Sequence, residues 1–369
     1  NMIVLQVVPE LNAGGVEKTT LEIAEALSNK GYETHVITRG GRLEEEFLQL
    51  GTKLHITNIG SKNILSIFYR IGFLRKIIKL HGIQLVHARS RAPAWVAYYA
   101  AKAEGIPFIT TYHGIYNSNS WFKDQYNSIM TKGEHIIANS KFTKSHIVNK
   151  HKISPRKITV IPRGVDMNIF NPKKVLKKKV KEILDEWEIP TENKIILLPG
   201  RLTNWKGQLI AVEALRYLPN DYTLVLMGDT QGRDKYKNKI YSRVAKLNLK
   251  KQFVISEHRT DVTSAIAAAN IVISASTDPE AFGRVMIEAQ AMQKPVVATA
   301  HGGSLQTVLD KKTGFLVPPN DPIALAKGIK KATAWNNYDG NFARSHIKTQ
   351  FSTQNLKSKT LNVYKQLLK

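Results

Sequence analysis

The chain has 369 residues, 43% hydrophobic and 22% charged, with no cysteine, and its 54 Lys+Arg against 29 Asp+Glu give a formal net charge of +25. That length exceeds what one core usually organises and predicts two domains. The missing cysteine excludes disulfides, thiolate metal sites and a cysteine nucleophile, which fits a reducing cytosol. The charge predicts an anionic partner, whether nucleic acid, an acidic membrane leaflet or a phosphorylated substrate, although a lysine-rich composition alone raises the same total.

The first residues, MIVLQVVP, read as a strand and not as a signal peptide, and no apolar run reaches the ~18–20 residues of a membrane span. Short β-branched runs then recur at helix-length intervals: 2–9, 33–40, 53–59, 84–90, 108–114, 135–140 and 158–164. Runs this short with helical spacers predict βαβ units in a parallel sheet, so a first doubly wound domain is expected over 1–168. From 169 to 193 the pattern breaks into Asn-Pro, the lysine run KKVLKKKVKEIL and a second proline, the signature of a linker with a short basic helix.

Alternation restarts at 194–201 and continues through 222–229, 252–259, 269–276, 295–300 and 313–319, predicting a second doubly wound domain over 194–345. A final helical segment, 346–369, is expected to pack back on the first domain. Two such domains would bind a ligand at the carboxyl ends of their strands. No G-x-G-x-x-G follows a strand, no G-x-x-x-x-G-K-[ST] occurs, and a D-x-D pair able to hold a metal diphosphate is missing. A dinucleotide dehydrogenase and a P-loop NTPase are therefore unsupported. An anion bound here is expected to be held without a metal.

Two stretches suit that anion. GRLTNWKG, 200–207, ends the first strand of the second domain and offers Arg201 as a planar fork and Lys206 as a point charge for a diphosphate. PEAFGRVMIEAQA, 279–291, places Glu280 and Glu288 eight positions apart across a helix start. By themselves these are also what solvated surface charges look like. As a ligand site, the backbone of Phe282, Gly283, Arg284 and Val285 would present N–H groups to an anion or a polar sugar, and the two carboxylates would accept from vicinal hydroxyls on either side.

The order GR-x4-KG, then E-x7-E as EAFGRVMIE, then KPVVATAHGG, resembles the retaining nucleotide-sugar glycosyltransferases of family four, with the GT-B fold. The resemblance extends over nearly the whole chain through NAGGVEK (12–18), TYHG (111–114), ANSKFT (138–143) and IPRGVD (161–166). It implies an α/β protein of two Rossmann-like domains facing across a cleft. By resemblance, Arg201 and Lys206 hold the donor diphosphate, Glu288 the ribose and Glu280 the sugar hydroxyls. Gly14 and Gly15 let the first domain close over the donor, and His113 hydrogen-bonds the donor sugar near the reacting carbon. Gln293, Arg163 and Gln306 depart from the family's common glycine, asparagine and glutamate. They weaken any inference about which sugar is used.

On the acceptor side, 61–82 places Ile64, Ile67, Phe68, Ile71, Leu74 and Ile78 on one helical face with Arg70, Arg75, Lys76 and Lys79 elsewhere. Such a helix lies on an anionic bilayer or packs on its own sheet. Arg89 and Arg91 of RSRAPAW suit phosphates on a lipid-linked acceptor. The expectation is a cytoplasmic, membrane-associating hexosyltransferase with a nucleotide-sugar donor, a glycan or glycolipid acceptor in bacterial surface polysaccharide or lipopolysaccharide synthesis, and no cofactor, metal or nucleic-acid partner. Two alternatives stay open: a transferase on a soluble acceptor, and a basic nucleic-acid-binding protein, for which no binding motif accompanies the charge.

Overall fold

The computed structural model describes residues 1–12, 14–232, 234–257 and 259–369. Ala13 of NAGGVEK and His258 of the 252–259 run lie outside the described residues. The chain divides into two compact units, the first made of Asn1–Arg163 and Thr353–Lys369, the second of Gly164–Ser352.

The first unit holds a parallel sheet of seven strands: β1 (Ile3–Val7), β2 (Glu33–Thr38), β3 (Lys53–Ile56), β4 (Leu85–Ala88), β5 (Phe108–Tyr112), β6 (His135–Ala138) and β7 (Ile158–Val160). Their spatial order is β3-β2-β1-β4-β5-β6-β7. β4 and β5 are buried along their whole length, as strands covered on both faces by helices must be. The order reverses between β1 and β4, and the crevice outside the carboxyl ends of strands at such a reversal is where open α/β sheets bind ligands.

The second unit repeats the plan with β8 (Lys194–Pro199), β9 (Tyr222–Met227), β10 (Phe253–Ser256), β11 (Ile271–Ser274), β12 (Val296–Thr299) and β13 (Gly314–Val317), in the order β10-β9-β8-β11-β12-β13. Its reversal lies between β8 and β11. All thirteen expected strands are present, each shorter at its carboxyl end than its apolar run, because those last residues leave the sheet to form the loops above it.

Segment boundaries differ from the sequence expectation where packing overrides composition. The lysine-rich helix Lys177–Glu186 is no free linker: Ile183, Trp187 and Ile189 are buried with Ile195, Leu197 and Met286 in the second unit's core. Helix Gly340–Gln350 also belongs there, with Ile347 and Phe351 buried against Phe282, Ile287 and Ala291. The chain re-enters the first unit only at Thr353, where helix Thr353–Leu367 packs on helix Gly15–Asn29. Tyr364, fully buried, anchors it through its hydroxyl 2.5 Å from Nδ1 of the equally buried His87.

Candidate functional site

In the second unit the two switch-point strands deliver the two stretches singled out from sequence. β8 leads into Gly200-Arg201, stitched to the end of β9 by Gly200 N–H donating to the Met227 carbonyl (2.9 Å) and Leu202 N–H to the Asp229 carbonyl (3.0 Å). A single turn, Asn204–Lys206, then ends in Gly207 at φ 73°. A Cβ there would lie 1.8 Å from the Ala275 carbonyl oxygen, so only glycine lets this loop pass against the end of β11. The Thr277 N–H donates to the Trp205 carbonyl (2.8 Å), tying the loop after β11 to the loop after β8.

That tie sets Lys206 Nζ on the Glu280 carboxylate, an ion pair between residues 74 apart in sequence, with only 20% and 16% of the two side chains exposed. Lys206 Nζ also lies 4.6 Å from the centre of the Trp205 ring. Glu280 is fixed from behind by the glycine pair of KPVVATAHGG. Gly303 N–H donates to the Glu280 carbonyl (2.8 Å), and a Cβ on Gly302 or Gly303 would lie 2.3 Å from the Glu280 oxygen or 2.4 Å from Phe282 Cα. Sequence reading missed this cradle as a functional element, although two successive glycines after a strand are its signal.

Gly283 is the N-cap of helix Arg284–Ala291. Phe282 points into the core, 3% exposed beside Ile287 and Phe351, which holds the backbone from Phe282 to Val285 in one place at the helix start. Glu288 is mostly buried, with Arg284 3.3 Å away one turn back. Arg201 stands exposed, its Nη1 donating to Gln231 at 3.3 Å while Gln208 Nε2 donates to its carbonyl at 2.8 Å. Lys206, Glu280 and the helix start are thus brought together on elements of rigid backbone, and Arg201 shares the first of those loops.

The first unit furnishes its switch point differently. Gly14 caps helix Gly15–Asn29, and a Cβ on Gly15 would lie 2.7 Å from Nη1 of Arg163, so the guanidinium lies over that glycine. Arg163 Nη2 lies 3.4 Å from His113 Nδ1. Because a guanidinium only donates, Nδ1 accepts and the proton of His113 sits on Nε2, a buried atom with no protein partner. Burial first, then the charges of Arg163 and Arg89, hold the His113 pKa well below the usual histidine range, so the imidazole is neutral.

Arg89 corrects the sequence expectation. It is 3% exposed, and its guanidinium donates to Gln6 Oε1 (2.6 Å) and Thr111 Oγ1 (3.4 Å), which leaves it inside the unit and not on the surface as an acceptor-phosphate ligand. Burial lowers its pKa from the ordinary arginine value. Arg91 is half-buried, donating to Asn127 Oδ1 (2.7 Å) and stacked 4.4 Å from the Tyr116 ring centre.

The 61–82 segment is corrected in part: of its expected apolar face Ile67, Ile71, Leu74 and Ile78 pack on the core, and Ile64 and Phe68 do not. It opens with a 3₁₀ turn, Ile64–Ser66, before helix Ile67–His81. Leu74, Ile77 and Ile78 face the core, whereas Ile64, Leu65, Phe68 and Tyr69 stand 79%, 92%, 81% and 73% exposed. Arg70, expected outside, is buried and donates to the carbonyls of Asn63 (2.8 Å) and Ile59 (3.3 Å). Arg75 and Lys79 share Glu104, at 2.6 and 3.6 Å. Among the described residues no helix is long and apolar enough to cross a membrane.

Comparison with known proteins adds the family. Residues 13–169 match Glycosyltransferase Family 4 and residues 179–348 match Glycosyl transferases group 1. The crystal structure of a glycosyltransferase from Rickettsia africae ESF-5 is 38% identical, with a TM-score of 0.91 over 100% of this chain and 99% of that one. The D-inositol 3-phosphate glycosyltransferase of Xylanimonas cellulosilytica is 25% identical over 346 residues, 85% of this chain and 82% of that protein. The UDP-Gal:alpha-D-GlcNAc-diphosphoundecaprenol alpha-1,3-galactosyltransferase of Escherichia coli is 24% identical over 349 residues, 89% of this chain and 87% of that protein.

Proposed function

Because the chain belongs to the GT-B glycosyltransferases of family 4, we propose that it moves a hexose-type sugar from a nucleotide-sugar donor to a glycan or glycolipid acceptor, with retention at the anomeric carbon and without a metal. The observation that carries the reading is the Lys206–Glu280 pair at the β8/β11 switch point, backed by the helix start at Arg284. A donor offers each member of the part-buried pair a replacement partner, its phosphates for Lys206 and its hydroxyls for Glu280, so neither charge is left unpaired. Lys206 turns with Arg201 to the diphosphate, Glu280 accepts from sugar hydroxyls and Glu288 from the ribose. The backbone of Phe282 to Val285 faces sugar and phosphate.

In the reaction the bond from the anomeric carbon to the diphosphate oxygen breaks through an oxocarbenium-like centre. The acceptor oxygen bonds to that carbon on the same face, and its proton passes to an oxygen of the departing diphosphate. Arg201, Lys206 and the helix N-terminus stabilise the negative charge that grows on the leaving group. His113 has an Nε2–H with no protein partner, which suits a sugar hydroxyl.

For the acceptor, the Escherichia coli relative's name specifies a diphosphoundecaprenol-linked sugar, and the exposed Ile64, Leu65, Phe68 and Tyr69 with nearby Arg75, Lys76 and Lys79 support an acceptor met at an anionic membrane surface, in synthesis of a bacterial surface polysaccharide or lipopolysaccharide. Isothermal titration with a panel of nucleotide sugars tests the donor. One sugar nucleotide should bind the wild type and lose affinity in Lys206→Ala and Glu288→Ala while both variants stay folded. Equal affinity in both variants would refute this assignment.

A further inference from the structure

A second polar cluster lies at the other end of the first sheet. Glu33 opens β2, His35 follows two residues on, His55 stands on the neighbouring β3, and His81 ends helix Ile67–His81. These are the amino ends of the strands, remote from Gly14, Gly15 and His113 at the carboxyl ends of the same sheet. His35 is fully buried. Its Nε2 is 2.7 Å from Glu33 Oε1 and its Nδ1 is 2.9 Å from His55 Nε2. The three imidazoles pack with ring centres 4.9 to 5.2 Å apart.

We infer that Glu33, His35 and His81 bind a divalent transition-metal ion of the zinc class, with His55 orienting His35. One ligand atom from each of the three lies within 4.8 Å of the others. Around a tetrahedral ion with bonds near 2.0–2.1 Å, ligand atoms sit about 3.3 Å apart. Small rotations of the half-exposed Glu33 and His81 side chains close that difference, and water completes the shell. Two imidazoles and a carboxylate are a donor set that suits zinc, cobalt or nickel better than calcium or magnesium.

The protons also balance. Without metal, His35 Nε2–H donates to Glu33 and His55 Nε2–H donates to His35 Nδ1. With metal on Nε2, His35 carries its proton on Nδ1 and donates to His55 Nε2, whose own proton moves to Nδ1. Each ring keeps one proton, and His55 becomes the outer partner that metal-bound histidines ordinarily have. Lys53 Nζ, 2.6 Å from Glu33 Oε1, supplies the positive charge that the ion replaces, and its side chain is half-exposed and free to swing out. An ion here would clamp the end of helix Ile67–His81 to the sheet.

The test uses the full chain without a histidine tag, stripped with EDTA, titrated with zinc chloride by calorimetry and melted with and without zinc. One zinc per chain should bind and raise the melting temperature. His81→Gln, at a half-exposed helix end where folding is not at risk, and His35→Gln should abolish that binding, and His55→Gln should weaken it 10–100-fold. Absence of stoichiometric binding to the wild type, or undiminished binding to folded His81→Gln, overturns the site. Neither readout involves sugar transfer, so the result stands apart from the fate of the donor assignment.

Discussion

At the carboxyl ends of β8 and β11 the second unit holds a cation and a carboxylate against each other, both partly open to solvent. At the carboxyl ends of β4 and β5 the first unit instead holds a buried Arg89 and a half-buried, neutral His113, with Arg163 beside them. One topology thus supports two electrostatic arrangements. A part-buried ion pair at the open end of a sheet can trade partners with a charged ligand that pairs both charges it separates. A cation sunk among hydroxyls and amides cannot move without leaving them unpaired, which is costly. It therefore acts by its field, adding to burial and to the charge of Arg163 in keeping His113 neutral.

The sharpest break in that comparison is removal of the ion-paired cation. Lys206→Ala should lower the transfer rate by about 10²–10³, the usual cost of removing one charge-stabilising group, with the melting temperature nearly unchanged. A folded variant that transfers at the wild-type rate would show that Lys206 does not touch the leaving group. Activity should also persist in EDTA, since side-chain cations and a helix start supply the positive charge. An absolute need for manganese or magnesium would contradict this.

A smaller effect is expected at the exposed apolar segment of the first unit. Leu65→Ser with Phe68→Ser should weaken binding to vesicles of anionic lipid by at least tenfold, because each buried side chain of this size contributes roughly 1.5–3 kcal/mol. Arg75, Lys76 and Lys79 each add about 1 kcal/mol near such a surface, less where Glu104 already neutralises them. Sedimentation with vesicles at low and high salt checks both. Indifference of the wild type to anionic vesicles at low salt would favour a soluble acceptor.

These expectations draw on different amounts of sequence signal. Every strand was legible, because continuous Val, Ile and Leu runs are what a sheet covered on both faces requires. Arg201, Lys206, Glu280 and Glu288 could be named as candidates, but the contact between Lys206 and Glu280 depends on β8 and β11 being neighbours, which local sequence does not encode. Arg70 and Arg89 were misjudged for a common reason: a charged side chain is expected outside unless its hydrogen-bond partners are known, and theirs are carbonyls, a hydroxyl and an amide scattered through the unit. On the 61–82 face Ile67, Ile71, Leu74 and Ile78 pack as expected, whereas Ile64 falls off it because the 3₁₀ turn at Ile64–Ser66 turns by three residues and not 3.6. The packed stripe starts afresh at Ile67, with Arg70 in an apolar slot.

The smallest predicted effect separates the two units by acid. Among the described residues, the histidines with lowered pKa are His35, His55, His87, His113, His135, His146 and His151 in the first unit and His346 alone in the second. In each, burial is the leading cause. A histidine whose folded pKa lies below the unfolded value near 6.5 stays neutral in the fold while the unfolded chain takes up a proton. Stability is therefore complete above about pH 6.5 and is lost as pH falls toward the folded value, about 4 for His55. The carboxylates held below their usual range, Glu33 and Glu104 in the first unit and Glu213 and Asp261 in the second, are evenly divided and matter only near pH 4.5 and below. Between pH 6.5 and 5 the histidines decide, so the first unit should loosen before the second. Hydrogen exchange at pH 7 and pH 5, corrected for the intrinsic rate, should show protection falling in β1 to β7 while β8 to β13 hold. Equal loss in both sheets, or earlier loss in the second, would mean that the buried histidines of the first unit take up protons without opening it.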